Sequence, residues 1–334
     1  VLAGGLIVDA LSWRWILFIN LPIGLAAAFA AQRLLLEGRD QNATRNFDLL
    51  GALSATAGLT LLVFGIVRTD TSGWGDPTTL ITIAIGVALL GAFLLIEGVI
   101  AKAPLMPLRL FRSRRLSAAN VIIMLVGAAT FGMWFFFTLY LQQVLGYSAL
   151  KAGIIFLPMT IALVIGSTLA SRMTMRIGLK RLQIAGMGVL TLGLLWFTRL
   201  STHPDYLGVM LPAGLLASIG MPFAYIPATI SATAGVAPQE AGLASAVTSN
   251  ARLFGGALGL AVLATIASSH TSAELHYPTA AVHTLGQALV SGFNLAFWVA
   301  AGIAAVGVLV AILGTPAPKP APVAQPQKVL AAEA

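Results

Sequence analysis

Arg252 stands well inside an apolar run, 241–267, where a charge costs at least ~2.5 kcal/mol on membrane-insertion scales, so it must face protein or water. Ser245, Thr248, Ser249 and Arg252 recur at i, i+3, i+4 and i+7 and give that helix one polar stripe. Two readings are open: an arginine that caps carbonyls or snorkels to an interface, or one that lines a polar path. Phe131, Trp134, Phe135 and Thr138 repeat the same spacing in another run, 116–143. That face lines a cavity or is a packing or lipid-facing belt. As a cavity wall, its rings hold flat lipophilic cations at ~0.5–2 kcal/mol each, whereas Arg252 repels a cation beside it. Asn120, Gln142 and Gln143 lie nearer the ends of the run and carry less.

A third group sits in 207–235, where Pro212, Pro222 and Pro227 each remove a backbone donor and kink the helix. Such breaks survive in a membrane where protein or a wet cavity satisfies the freed carbonyls, which makes Tyr225 and Thr229 candidate cavity residues beside the plain packing of a bent helix. Glu97 lies near the end of its run and reads as an interfacial carboxylate paired with Lys102. A coupling role would need burial to raise its pKa. His203, His270, His276 and His283 fall between apolar runs, the last three in one loop, with spacings too loose to specify a metal. No metal or cofactor is expected, and no paired acid and base at one depth suggests an enzyme. No Gly-rich phosphate loop follows a strand.

The elements that must position these groups are membrane spans. Of the 334 residues, 58% are hydrophobic and 9% charged, against about 25% charged in an ordinary soluble domain. The net charge of +8 comes from basic residues clustered between apolar runs, which fits retention at a cytoplasmic face rather than nucleic acid. Without cysteine there is no disulfide or thiolate site. A helix as long as 116–143 more than crosses the ~30 Å hydrocarbon core at ~1.5 Å per residue. The other whole runs are 13–36, 48–67, 80–100, 150–170, 183–200, 207–235, 241–267 and 287–313, and residues 1–8 read as a stub. This predicts an all-α polytopic bundle of about nine complete spans plus a helix stub.

Alternating spans divide the loops into two sets. One holds Arg33, Arg39, Arg45, Lys102, Arg109, Arg112, Arg114, Arg115, Arg172, Arg176, Lys180, Arg181, Lys319 and Lys328; the other holds Arg14, Arg68, Lys151 and Arg199. That asymmetry is the positive-inside bias and places the C-terminus in the cytoplasm of a multi-pass protein of the inner or plasma membrane. Residues 314–334 are Pro/Ala-rich and are expected to be a disordered tail.

The string DALSWRWILFINLPIG, with Trp13, Arg14, Trp15, Asn20 and Pro22, resembles the fifth-to-sixth helix junction of the fourteen-helix drug:proton antiporters of the major facilitator superfamily, EmrB/QacA type. Gly4 and Gly5 are similar to the end of that family's Gly-Pro-x-x-Gly-Gly motif, whose Gly-Pro half is missing. LYLQQVLGYSALKAGIIFLPM is a second match. Arg172, Arg176, Gly178, Lys180 and Arg181 resemble a degraded form of the superfamily's basic loop signature, with Ser171 and Met175 in place of its first Gly and its Asp, and also read as a plain topogenic loop.

The resemblance implies a major facilitator fold moving by rocking of two halves. It maps 1–36 to the end of the N-terminal half, 48–100 to two inserted helices and 116–313 to the C-terminal six-helix half. The chain is then N-terminally truncated, with the coupling acids upstream, and is not expected to catalyse coupled transport alone. The implied activity is proton-coupled efflux of hydrophobic or cationic compounds, with small molecules, protons and the bilayer as partners; a periplasmic adaptor is left open. Transport of another solute, or a non-transporting sensor or scaffold, is the alternative.

Overall fold

The computed structural model describes residues 2–34, 48–73, 75–101, 104, 106, 108–234, 236, 240–276 and 284–315. Among them there is no strand. The helices are α1 Leu2–Ala10, α2 Arg14–Phe18, α3 Asn20–Leu34, α4 Leu49–Ser72, α5 Pro77–Leu95, α6 Arg114–Leu139, α7 Ala149–Ile177, α8 Leu179–Phe197, α9 Leu211–Thr233, α10 Ala241–His276 and α11 Leu285–Gly314. Eight segments, with α2 and α3 taken together, are long and apolar enough to cross a membrane. The ninth expected span became α8, only 19 residues long and with Lys180 and Arg181 in its first turn. The chain is thus a multi-pass helical bundle.

Capping chemistry sets the helix starts. Asp48, Asp76, Ser113, Ser148 and Thr284 each accept a first-turn backbone N–H, and Thr284 and Gln287 complete a capping box. At Asp76, which lies between two spans, the Thr79 backbone N–H and then its hydroxyl hold the carboxyl below its ordinary range, with Arg68 adding to the effect against a small desolvation penalty.

Several expected boundaries move, for one reason. In lipid a backbone leaves its helix only where its N–H and C=O groups find other partners, so helices outrun their apolar runs. Helix α7 carries Arg172 and Arg176 within itself, and the expected basic loop shrinks to Gly178, whose φ of +89° favours glycine. Helix α10 runs on to His276, so His270 and His276 are helical rather than in a loop; His283 and the tail from 316 lie outside the described residues. Pro212 lies just past the π-turn Tyr206–Met210 within one continuous helix, and Pro222 and Pro227 are internal to α9. Single π-turns, Ile96–Ile100, Tyr140–Val144 and Tyr206–Met210, end α5 and α6 and precede α9. The first expected span runs on through Ile19, whose φ of −63° and ψ of −22° are helical and whose N–H donates to Trp15 O at 3.0 Å, and the Asn20 side chain donates to Ile16 O at 2.9 Å.

The core sits among α6, α7, α8, α9, α10 and α11. Phe136, Phe137, Phe156, Phe197, Phe293 and Phe297 form its aromatic centre, with Phe197 stacked on Phe297 at 5.0 Å. Gln183 is fully buried, donates to Ser231 Oγ at 3.3 Å and accepts from Thr315 at 3.0 Å, tying α8, α9 and the end of α11. Around this core α4 pairs with α5 and leans on α10, and α1 leans on α7. Helix α3 buries no residue, and α7 turns Ile154, Ile161, Ile165 and Leu169 outward as a surface suited to lipid.

Candidate functional site

Helix α10 reaches α6 through glycine. A Cβ on Gly255 would lie 2.0 Å from Met124 O, one on Gly259 2.4 Å from Ala128 Cα, and one on Gly127 2.3 Å from Arg252 O. Gly255 and Gly259, a small-xxx-small pair, therefore lie in the contact, joined by Gly127 on the opposite helix. This approach sets where Arg252 stands. Its guanidinium lies 5.9 Å from the Tyr225 ring centroid, a cation–π pair that partly compensates the charge. Thr229, one turn beyond, donates to Tyr225 O at 3.0 Å, so its hydroxyl is committed to its own helix.

The remaining stripe residues are not equivalent. Thr248 is 1% exposed and donates to Ala244 O, while Ser245 and Ser249 are exposed beside it. The stripe is therefore the border between the α10 packing face and open surface.

The aromatic stripe of α6 also divides. Trp134 packs on Phe156 of α7 at 5.3 Å, and Thr138 donates to Trp134 O and lines a cleft of about 170 Å³ with Gly4, Gly5 and Gln142. Phe131 lies against Gly256, and Phe135 lines a different cavity of about 340 Å³ with Gln143, Thr265, Thr271 and Phe293. One face of α6 thus straddles the gap between α7 and α10, with Thr138 and Phe135 lining different cavities.

Of the two motif glycines only Gly5 has a packing reason: a Cβ there would lie 2.6 Å from Ala149 O, whereas one on Gly4, which lines the same cleft, would meet nothing within 4 Å. Asp9 lies in the last turn of α1 and accepts the Leu150 N–H at 3.2 Å, while Ser148 accepts that of Lys151 at 3.2 Å. Both satisfy orphan donors at the start of α7. Asp9→Ala is expected to cost ~1 kcal/mol and to speed hydrogen exchange at the Leu150 amide about fivefold; unchanged exchange there refutes the cap.

Trp13, Arg14 and Trp15 are exposed, Arg14 lying over Trp13 at 5.7 Å, and Pro22 sits in the first turn of α3. Arg176 is exposed and Lys180 half-buried on either side of Gly178.

Glu97 is 5% exposed and accepts the Met106 N–H at 3.0 Å; Lys102, its expected partner, lies outside the described residues. Arg109 pairs with Glu240 across the surface, and His270 bonds Ser291 Oγ at 2.9 Å with Glu274 one turn away at 3.7 Å. The residue passed over in sequence is Asn120, 95% buried in α6. An amide inside an apolar run was the available signal.

A family model described as Major Facilitator Superfamily matches residues 1–260. The cephamycin export protein CmcT of Amycolatopsis lactamdurans is 40% identical over 84% of this chain and 59% of its own length. The puromycin resistance protein pur8 of Streptomyces alboniger is 36% identical over 91% and 60%, and the tetracenomycin C resistance and export protein of Streptomyces glaucescens 33% over 80% and 49%. The chain spans a little over half the length of these curated relatives.

Proposed function

The chain belongs to the major facilitator superfamily, and from that premise we propose that it serves proton-coupled export of hydrophobic or cationic drugs, as a transporter and not an enzyme. The observation that carries the reading is the similarity, over most of the chain, to proteins named for cephamycin export and puromycin resistance. In this proposal α6–α11 form one six-helix half, residues 1–36 belong to the opposing half and 48–100 are an inserted pair. The basic collar at Arg109, Arg112, Arg114 and Arg115 lies on the cytoplasmic side, and so does the C-terminus.

The exposed border of α6, α9 and α10 is then the wall of the transport path. Phe131, Trp134 and Phe135 offer ring faces to a lipophilic cation, while Arg252 occupies the Tyr225 face and excludes a cation from that spot. Ser245 and Ser249 supply hydroxyls to passing polar groups.

The test is ethidium efflux from cells that express the gene in a strain lacking its own drug pumps. Efflux that stops when the proton gradient is collapsed is expected. Trp134→Ala is expected to lower it about tenfold, the loss of one ring's ~1–2 kcal/mol. Accumulation equal to that of the empty strain, with the protein present in the membrane, overturns the reading.

A further inference from the structure

We propose that the space between the pair α4–α5 and helices α6 and α10 is a binding site for a lipophilic molecule carrying one hydrogen-bond donor, received by Asn120. The cavity holds about 530 Å³ and lies at the level of the basic collar. That volume is in the range of drug-sized pockets, about 300–1,000 Å³. Ala52, Ala55 and Thr56 of α4 and Phe93 of α5 form one wall; Val121 and Met124 of α6 with Val247, Ala251 and Phe254 of α10 form the other. Among the described residues no charged side chain lines it.

The end of the cavity is built, not incidental. Met106 and Phe111 close it, the first held by its N–H to Glu97 at 3.0 Å and the second by its carbonyl, which accepts from Ser117 Oγ at 2.7 Å. Its opposite end is pinned where Thr265 of α10 donates to Ile66 O of α4 at 3.1 Å. Between these points α4 stands off the core.

Asn120 supplies the independent sign of a ligand. It lines the cavity at 5% exposure, and its Nδ2 donates to Leu116 O at 3.0 Å, which fixes the amide orientation because a carbonyl only accepts. Its Oδ1 is buried and has no hydrogen-bond partner among the described residues. A buried acceptor left without a donor is costly and rare, and a hydroxyl or amide N–H on an apolar ligand removes that cost. On the same lining Ser117 is committed to Phe111 and Asn250 is exposed, so the buried acceptor of Asn120 is the group that calls for a donor. The site is separate from the border surface assigned to transport, and its occupancy is read without transport.

The shared ligand chemistry, an apolar body with a single donor, has two sources: a membrane lipid such as a diacylglycerol, or an exogenous lipophile. The experiment photolabels the full chain in lipid nanodiscs with a diazirine-bearing long-chain alcohol and, in parallel, with its methyl ether, which keeps the body and lacks the donor. Labelling of Val121, Met124 and Phe254 by the alcohol is expected, with the ether about tenfold weaker, the worth of one buried hydrogen bond. Asn120→Leu is expected to bring the alcohol down to the ether level, and Ala55→Trp, acting from the opposite wall, to remove both with helix content retained.

Suppression by 1,2-dioctanoylglycerol assigns the occupant to lipid, and suppression by N-phenyl-1-naphthylamine to exogenous compounds; either supports the site. Equal labelling by alcohol and ether, labelling indifferent to Ala55→Trp, or suppression by neither competitor overturns it.

Discussion

Replacing Gly127 by valine is expected to lower stability by about 3 kcal/mol, at the upper end of overpacking penalties. A Cβ there meets Arg252 O at 2.3 Å and Gly256 N at 3.1 Å, both backbone atoms that no rotamer change removes. The helices must separate, and with them go the approaches of Gly255 to Met124 and of Gly259 to Ala128. In lipid this loss is not softened by a hydrophobic gain elsewhere, because tails are as apolar as the side chains and association rests on close packing. Arg252 would shift with its carbonyl and leave Tyr225. Thermal unfolding in detergent measures the effect. Gly188→Val is the control, since a Cβ there meets nothing within 4 Å. If both variants melt alike, the α6–α10 seam is not what holds the bundle.

The second large effect is expected at Phe197. Its side chain is 1% exposed, 5.1 Å from the Phe137 ring and stacked on Phe297 at 5.0 Å, so it joins α8 to α6 and α11. Phe197→Ala removes those contacts and leaves a void that rigid helices cannot close, at ~3–5 kcal/mol. Phe64→Ala, at a ring 55% exposed on α4, exchanges protein surface for lipid and is expected to cost under ~0.5 kcal/mol. Reversible unfolding in mixed micelles compares the two. A cost for Phe64→Ala equal to that for Phe197→Ala would mean that ring burial does not set stability here.

The pattern of apolar runs was enough to place nearly every helix, because a membrane span must be a long uncharged helix and the length of the run reports it directly. The cluster of Arg109, Arg112, Arg114 and Arg115 before α6 was equally plain, a local pattern with a local physical cause. Helix ends were less so. Arg172, Arg176, His270 and His276 sit in helices that continue past the apolar run, since backbone hydrogen bonding and not side-chain polarity decides where a helix stops.

Spacing placed Phe131, Trp134, Phe135 and Thr138 on one face, and they do share it. Only the packing of α7 and α10 against that face sent Trp134 to Phe156 and Phe135 to another cavity. Likewise no periodicity brings Arg252 to Tyr225, Asp9 to the start of α7, or Asn120 to a cavity wall shared with α4. Composition and period therefore determined the class of protein and its helices, which depend on each residue's own environment in lipid. Tertiary structure alone decided the partners, because a pair between two helices depends on their crossing point, and a glycine allows a close approach without saying which helix makes it.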